Sequence, residues 1–243
     1  MTSADTPPGA RVVSLVPSAT ETLLAWGITP IAVTRFCEQP HLPAVGGTKN
    51  PDIDAIVDLA PDLVVLCEEE NRVEDAERLA DAGLRLHTVT VRSVADVEPE
   101  LDRLAAALGV PARPFGGVPA RTTAMDSGLR AFVPIWRRPW MTLNHDTYGS
   151  ALLAELGVTN IYADAAERYP EVDLAAVAAR RPNVVMAPTE PYPFSERHRR
   201  ELEAVAPVAY VDGQDLFWWG WRTPAAIARL ASTVAQFLAE LAT

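Results

Sequence analysis

The chain has 243 residues and a mass of 26.3 kDa, which is enough for one large domain or two small ones. Its apolar share of 49% and charged share of 22% are typical of globular domains and exclude a disordered chain. The net charge of -11 argues against binding to nucleic-acid phosphates or anionic lipid. No apolar run approaches the roughly 20 residues that a spanning helix needs, so we predict a protein that is not membrane-embedded.

Strands and helices alternate along the first half of the chain. The apolar run at residues 11–16 predicts a strand that ends at Pro17, and Ser18 with Glu21 has the spacing of a capping box that begins a helix. The same patterns predict strands at 31–34, 63–66 and 86–91, and helices at 52–59, 74–82 and 94–108. This alternation predicts an α/β fold with a mostly parallel sheet.

The second half of the chain repeats this layout. Residues 52–65 match residues 173–186 at a constant offset of 121 residues, the step from Asp52 to Asp173, and the same offset places Glu190 opposite Glu69. A strand at 131–135 and a helix at 147–156 take the places of the first strand and helix. The repeat predicts two Rossmann-like α/β lobes, residues 11–110 and 131–243, with a ligand cleft between them at the carboxyl ends of their strands.

A linker at residues 111–130 joins the two predicted lobes. Proline and glycine break any helix in its first part, at Pro111, Pro114, Gly116, Gly117 and Pro119. A short helix is predicted at 120–128, before the second lobe begins.

The opening residues 11–21, Arg-Val-Val-Ser-Leu-Val-Pro-Ser-Ala-Thr-Glu, resemble the start of the iron-chelate/cobalamin periplasmic-binding domain. The element Pro61-Asp62-Leu63-Val64, which follows Gly46-Gly47-Thr48, resembles the same family, and the likeness extends to the C-terminus. The resemblance implies a class III, helical-backbone metal receptor of the cobalamin-binding type. It further implies a non-catalytic protein that binds a metal chelate (a corrinoid, haem or a ferric siderophore) and delivers it to the permease of an ABC importer.

The sequence departs from this family in three respects. It shows no signal peptide or lipidation cysteine, so we expect a cytoplasmic protein as given, or a periplasmic one if the true start lies upstream. The long joining helix of the family is replaced by the broken linker. The positions where cobalamin-delivering relatives have a permease-contacting glutamate hold Val73 and Gly220. We also expect a monomer.

Aromatic side chains after the strands are the main candidate ligand contacts. Trp218 and Trp219 lie in the sequence Trp-Trp-Gly-Trp after the strand at 208–211, and three tryptophans in four loop residues cannot all point inward. Trp136, Arg137 and Trp140 follow the strand at 131–135, where arginine between aromatic rings suits an anionic ligand. By the family resemblance, Phe36 and Trp218 align with aromatic residues that contact the ligand.

Acidic and sulfur side chains form a second set of candidates. Glu69 and Glu190 stand at equivalent positions of the two repeats, where they would meet a cationic ligand or a partner's arginines. Cys37 follows the second strand and is a candidate ligand contact. Cys37, His41 and Cys67 together have ligand types that suit zinc or iron, but an inert pair of half-buried thiols is the commoner case, and no metal is assigned.

Two alternatives to a transport protein stay open at this point. One is an enzyme like the tetrapyrrole metal chelatases, for which His145 with Glu190 is the only plausible pair. The other is a cytoplasmic sensor that binds a chelate and signals to a partner. No nucleophile elbow, phosphate loop or His-Glu-x-x-His motif is present, and Asp146 next to His145 suits a helix N-cap, so we predict no catalytic residues and no resident cofactor.

Overall fold

The computed structural model describes residues 10–113, 115–116 and 127–241, and these form two compact units. The first unit takes the described residues up to Thr90 together with those of Asp96–Phe115. The second takes Val91–Ala95 together with the described residues from Gly116 onward. The predicted α/β fold class with two lobes is confirmed. The helix predicted at 120–128 lies outside the described residues except for its last two, which are not helical.

The first unit is built on a four-stranded parallel sheet. The strands of this unit, inside and outside that sheet, are β1 (Val12–Ser14), β2 (Ala32–Val33), β3 (Gly46–Gly47), β4 (Asn50–Pro51), β5 (Leu63–Cys67) and β6 (Leu86–Val89). Its helices are α1 (Pro17–Ala25), α2 (Ile53–Asp58), α3 (Val73–Asp81) and α4 (Val97–Leu108), the last preceded by a 3₁₀ turn at Val94–Asp96. The sheet order is β2-β1-β5-β6, all parallel, and β3 pairs with β4 in a separate antiparallel hairpin.

Helix α1 begins two residues earlier than the sequence predicts. Its N-cap is Val16, Pro17 is the first helical residue, and no side chain caps the helix. The expected capping box of Ser18 and Glu21 is therefore wrong. Proline at the first position explains the difference, because its fixed φ suits a helix and its missing N–H would have had no partner there.

The second unit has the same sheet with more small elements around it. Its strands are β7 (Arg130–Phe132), β8 (Trp136–Arg137), β9 (Trp140–Met141), β10 (Thr159–Asn160), β11 (Glu171–Val172), β12 (Val184–Pro188) and β13 (Val208–Val211). Its helices are α5 (Tyr148–Glu155), α6 (Leu174–Ala179), α7 (Arg199–Leu202), α8 (Gly213–Phe217) and α9 (Thr223–Leu241), with a 3₁₀ turn at Glu196–His198. The parallel sheet has the order β10-β7-β12-β13, and β11-β9-β8 form an antiparallel sheet.

The repeat predicted from the sequence is visible in both sheets. Each sheet places its first strand between the second and the third, so the two strand orders are equivalent. In both sheets, a side chain just before the third strand accepts a hydrogen bond from the backbone amide at the start of the first strand. Asp62 Oδ2 accepts from the Arg11 amide at 2.8 Å, and Asn183 Oδ1 accepts from the Arg130 amide at 2.7 Å.

Two local predictions in the second unit are wrong. Residues 136–140, expected as a loop after the strand at 131–135, belong to the β8–β9 hairpin, because Trp136 and Arg137 pair with Met141 and Trp140. Asp146 does not cap α5. Thr147 is the N-cap, and its side chain accepts from the Ser150 amide at 3.4 Å.

Among the described residues, none of the helices is both long and apolar enough to cross a membrane.

The N-caps of α2 and α6 test whether the two repeats are structurally equivalent. Asp52 Oδ1 accepts from the Ala55 amide at 3.1 Å, and Asp173 Oδ1 accepts from the Ala175 amide at 2.7 Å. We expect Asp52→Ala and Asp173→Ala each to lower the free energy of unfolding by about 1 kcal/mol, measured by urea denaturation. The matched Asp→Asn variants keep the cap and should lose little. A loss as large for asparagine as for alanine would show that the caps are not the cause.

Candidate functional site

The loops after the strands of the second sheet meet at one edge, because all four strands are parallel. Trp136 follows β7, and Tyr192 follows β12. The rings of Trp136 and Tyr192 are in edge-to-face contact, with centroids 5.6 Å apart. The contact shows that these two loops come together at the carboxyl end of the sheet, the position at which α/β folds bind ligands.

Five rings pack together at this edge, and we call them the aromatic cluster: Trp136, Trp140, Tyr192, Phe194 and His198. Trp140 stacks on Phe194 with centroids 5.9 Å apart and planes only 8° apart, and Phe194 is buried. Tyr192 lies between Phe194, at 4.8 Å, and Trp136. Trp136 is 44% exposed, so the cluster has a buried base and an open aromatic surface.

Arg137, predicted as the main cation of the site, forms an ion pair with Glu201. Its Nε and Nη2 both lie 2.9 Å from Glu201 Oε2. The hydrogen bond to Glu201 raises the pKa of Arg137 above its ordinary value. The carboxylate therefore balances the charge that we expected an anionic ligand to use, and the contact of Arg137 with a ligand stays a prediction.

The Trp-Trp-Gly-Trp segment distributes its rings as the sequence predicts, with not all of them inward. Trp219 is only 3% exposed and packs inside the second unit, whereas Trp221 is exposed. Trp218 is half-buried, and the guanidinium carbon of Arg222 lies 5.2 Å from its ring centroid. The burial of Trp219 leaves Trp218 as the better placed of the two predicted contacts.

Glu190 is half-buried and fixed by the close approach of Gly213, the first residue of α8. A Cβ atom at Gly213 would lie 2.4 Å from Glu190 Cγ and 2.5 Å from its backbone nitrogen. Since the backbone atoms cannot move aside, only glycine fits at this position. The Gly213 amide also donates to Thr189 Oγ1 at 2.9 Å, which holds the start of the Glu190 loop.

In the first unit, Phe36 and Cys37 follow β2 as predicted, but they face different surroundings. Phe36 is 49% exposed, and the guanidinium carbon of Arg35 lies 4.8 Å from its ring centroid. Cys37 is buried, with its Sγ 3.2 Å from Thr20 Oγ1 and 3.3 Å from Thr34 Oγ1. Phe36 is thus open to a ligand, whereas Cys37 is packed beneath the surface.

The two cysteines are free, buried thiols. Burial raises the pKa of Cys37 above 9.0, and burial together with the charge of Glu70 raises the pKa of Cys67 to about 12. Among the described residues, no group of three or more His, Cys, Asp or Glu side chains is arranged to hold a metal ion. The cysteine–histidine metal site therefore gains no support from the structure.

Glu69 is half-buried at the carboxyl end of β5, in a loop held by two neighbouring contacts. Its backbone carbonyl accepts from Lys49 Nζ at 2.8 Å. Asn71 Oδ1 accepts from the Cys67 amide at 2.7 Å and closes the same turn. Glu69 and Glu190 accordingly occupy equivalent loops of the two units, as the repeat predicts.

His145, the histidine of the enzyme alternative, is exposed and bonded to the backbone. Its Nδ1 lies 2.8 Å from the carbonyl of Ala163. The neighbouring Asp146 accepts from Arg92 at 3.2 Å and from Arg168 at 3.1 Å. The acid next to His145 is thus engaged by two arginines.

The sequence did not identify three members of the aromatic cluster, Tyr192, Phe194 and His198. Tyr192 and Phe194 lie two and four residues after the predicted Glu190, in a proline-rich segment. His198 is 4% exposed. The sequence could have indicated its role, because Ser195-x-x-His198 has the spacing of a capping box with histidine in the third helical position.

Comparisons with known proteins show the same fold. Residues 12–114 match the sequence model of the family described as periplasmic binding protein. The vitamin B12-binding protein of Vibrio parahaemolyticus is 26% identical over 208 residues, which cover 79% of this chain and 72% of that protein. The resemblance to the iron-chelate/cobalamin periplasmic-binding family, predicted from residues 11–21 and 61–64, is confirmed.

Two solved structures extend the match over nearly the whole chain. The periplasmic vitamin B12 binding protein BtuF of Vibrio cholerae has a TM-score of 0.77 at 21% identity, covering 94% of this chain and 97% of that one. A periplasmic heme binding protein from Pseudomonas aeruginosa has a TM-score of 0.75 at 20% identity, covering 93% and 92%. These likenesses show the fold, and the relatives are binding proteins by name.

The raised thiol pKa values predict slow chemical modification of both cysteines. With a pKa of about 12, Cys67 is almost entirely in the thiol form at pH 8. We expect both thiols to resist Ellman's reagent in the native protein and to react fully in urea. Because folding raises these pKa values, the folded protein favours the protonated thiols. The free energy of unfolding should therefore decrease as the pH rises from 9 toward 12.

A native-state control for this experiment is Val73→Cys, which places a thiol at an exposed position. The added thiol should react promptly while the two natural ones do not. Prompt reaction of all three would contradict the burial of Cys37 and Cys67.

The close packing at Gly213 predicts that Gly213→Ala destabilises the second unit by about 1–3 kcal/mol, the usual cost of overpacking. Thermal unfolding should shift down accordingly. The double variant Gly213→Ala with Glu190→Ala removes only the side-chain clash, so we expect no recovery because the backbone atoms of Glu190 remain. Full recovery would show that the Glu190 side chain alone requires glycine.

Proposed function

We propose that the chain is a non-catalytic binding protein for a metal chelate, and that its ligand is a corrinoid of the cobalamin type. The aromatic cluster at the carboxyl edge of the second sheet is the observation on which this proposal depends. Support also comes from the relatives, which are named for binding vitamin B12 or heme.

The cluster offers what a large flat ligand requires. Trp136 presents an open ring that is braced edge-on by Tyr192, while Trp140 and Phe194 stack beneath. Aromatic rings bury a large area at low entropic cost, and a stacked pair adds about 0.5–1.5 kcal/mol beyond the area buried. Phe36 in the first unit and Trp218 in the second are further rings that we propose for ligand contact.

The charges around the cluster favour a neutral, amide-bearing chelate over a polyanionic one. Glu201 balances the charge of Arg137 through contacts of 2.9 Å, and the chain as a whole has a net charge of -11. The amide groups that surround a corrin ring both donate and accept hydrogen bonds, so they need no cation. The Arg137–Glu201 pair supplies a donor and an acceptor at the rim of the cluster.

We further propose that the protein works outside the cytoplasm as the substrate-binding component of an ABC importer. The structural relatives are periplasmic proteins by title. Glu69 and Glu190 stand in equivalent loops of the two units, which suits contact with paired arginines of a two-fold permease. Cys37 is assigned no direct contact, since its thiol is buried.

The proposal predicts that the purified protein binds cyanocobalamin more tightly than hemin or a ferric siderophore, as measured by isothermal titration and by quenching of tryptophan fluorescence. We expect Trp136→Ala to weaken binding about tenfold, which corresponds to about 1.4 kcal/mol. Trp136→Phe retains a ring and should lose less.

The control for this experiment is Arg138→Ala, an exposed change on the same hairpin, which should leave the affinity unchanged. Equal losses of affinity for Trp136→Ala and Arg138→Ala would show that the aromatic cluster is not part of the binding site. Absence of binding to all three chelates would overturn the proposed function.

A further inference from the structure

His198 contacts two other rings of the aromatic cluster. Its ring centroid is 5.5 Å from those of both Tyr192 and Phe194, and it is buried. It also closes a capping box, in which the Ser195 side chain accepts from the His198 amide and the Ser195 amide donates to the His198 ring. One side chain thus fixes both the backbone turn at Ser195 and the ring of Tyr192.

The hydrogen bonds of His198 require a neutral ring. The Ser195 amide donates to Nδ1 at 3.1 Å, and an amide N–H cannot accept, so Nδ1 has no proton in this arrangement. Nε2 accepts from Arg197 Nε at 3.1 Å and lies 3.4 Å from the hydroxyl of Tyr192, so an N–H donor faces each ring nitrogen. A doubly protonated ring would place an N–H against both of these donors, so it would break the Ser195 cap.

The charges that face His198 also oppose protonation. Arg197 Nε lies 3.1 Å from Nε2, and Arg137 on β8 adds a second positive charge. Glu201 on α7, which is paired with Arg137, and the backbone of Ser195 act in the opposite direction. Burial first, and then Arg197 and Arg137, lower the pKa of His198 below its ordinary value of 6.5.

The direction of the pH effect follows from this pKa. Because folding lowers it, the local structure is most stable above pH 6.5 and loses stability as the pH falls through the lowered value. Protonation would break the Ser195 cap and push the ring away from Arg197. Tyr192, which lies against His198, would lose its support, and Trp136 contacts Tyr192.

We propose that His198 is a positioning residue for the ligand surface, and that its neutral form holds Tyr192 and Trp136 in place while its protonated form releases them. The inference rests on the proposed function for the ligand, but the movement of the rings is a property of the unliganded protein. It makes chelate affinity depend on pH between neutrality and mild acidity.

The unliganded protein gives the first test. Near-ultraviolet circular dichroism, which reports aromatic packing, is followed from pH 8 to pH 4.5. We expect one transition with a midpoint below pH 6.5 that is absent in His198→Gln, since glutamine can accept from the Ser195 amide but does not titrate. His145→Gln, which changes an exposed histidine of the same unit, should keep the transition. A transition that persists in His198→Gln overturns the proposal.

A second variant tests the proposal without altering the cap. Arg197 is exposed, so Arg197→Gln should fold normally and remove a charge 3.1 Å from the ring. We expect the midpoint of the transition to move to higher pH. An unchanged midpoint would show that His198 is not the group that titrates.

Ligand binding separates this inference from the proposed function. With cyanocobalamin, affinity should fall between pH 7.5 and pH 5, by at most about tenfold per pH unit for a single proton, and His198→Gln should remove this fall. Binding that is equally tight at both pH values overturns the positioning role of His198 and leaves the proposed function intact. Absence of binding at pH 7.5 overturns the proposed function, and the dichroism transition still decides whether His198 positions the rings.

Discussion

Parallel pairing of the four strands in each sheet is the constraint on which the rest of the structure depends. Parallel strands need a crossover between them, and here helices supply most of these crossovers, so both faces of each sheet are covered. The strands β5 and β12 are buried along their whole length and have no room for a polar contact with ligand. Chemistry is therefore confined to the loops after the strands, which parallel pairing places at one edge of each sheet.

The two units also share an unusual backbone conformation at equivalent positions. Ala60 and Arg181 both have positive φ angles, 43° and 53°, and they are separated by the offset of 121 residues that relates the repeats. Each lies between the helix and the third strand, where the chain turns sharply to begin β5 or β12. A side chain other than glycine is strained there, and its presence in both units shows that the turn is held by its surroundings.

The loops of the two units have diverged on this common frame. The first unit buries its polar and sulfur groups after β1 and β2 and leaves Phe36 as an isolated exposed ring. The second unit adds the β8–β9 hairpin, which brings Trp136 and Trp140 to the rings after β12. The second unit thus has the larger preformed aromatic surface, and the frame alone does not determine which loop becomes a site.

Sequence patterns predicted the frame well because they reflect burial and local geometry. The central strands followed from apolar runs bounded by Pro and Gly, and the helix predicted at 52–59 corresponds to α2. The errors lie where long-range packing decides the outcome, as for the hairpin that contains residues 136–140. Asp146 was misassigned because its partners, Arg92 and Arg168, are distant in the sequence.

The aromatic cluster differs in rigidity from its base to its surface. Phe194 is buried and Trp140 lies nearly parallel to it, so this pair is held by the core of the second unit. Trp136 is half open, and within the cluster its ring contact is with Tyr192, whose own neighbours are Phe194 and His198. A change at His198 therefore reaches Trp136 through Tyr192 without disturbing the base. A cluster built in this way can alter its ligand surface at little cost to the fold, because the part that moves contributes least to the core.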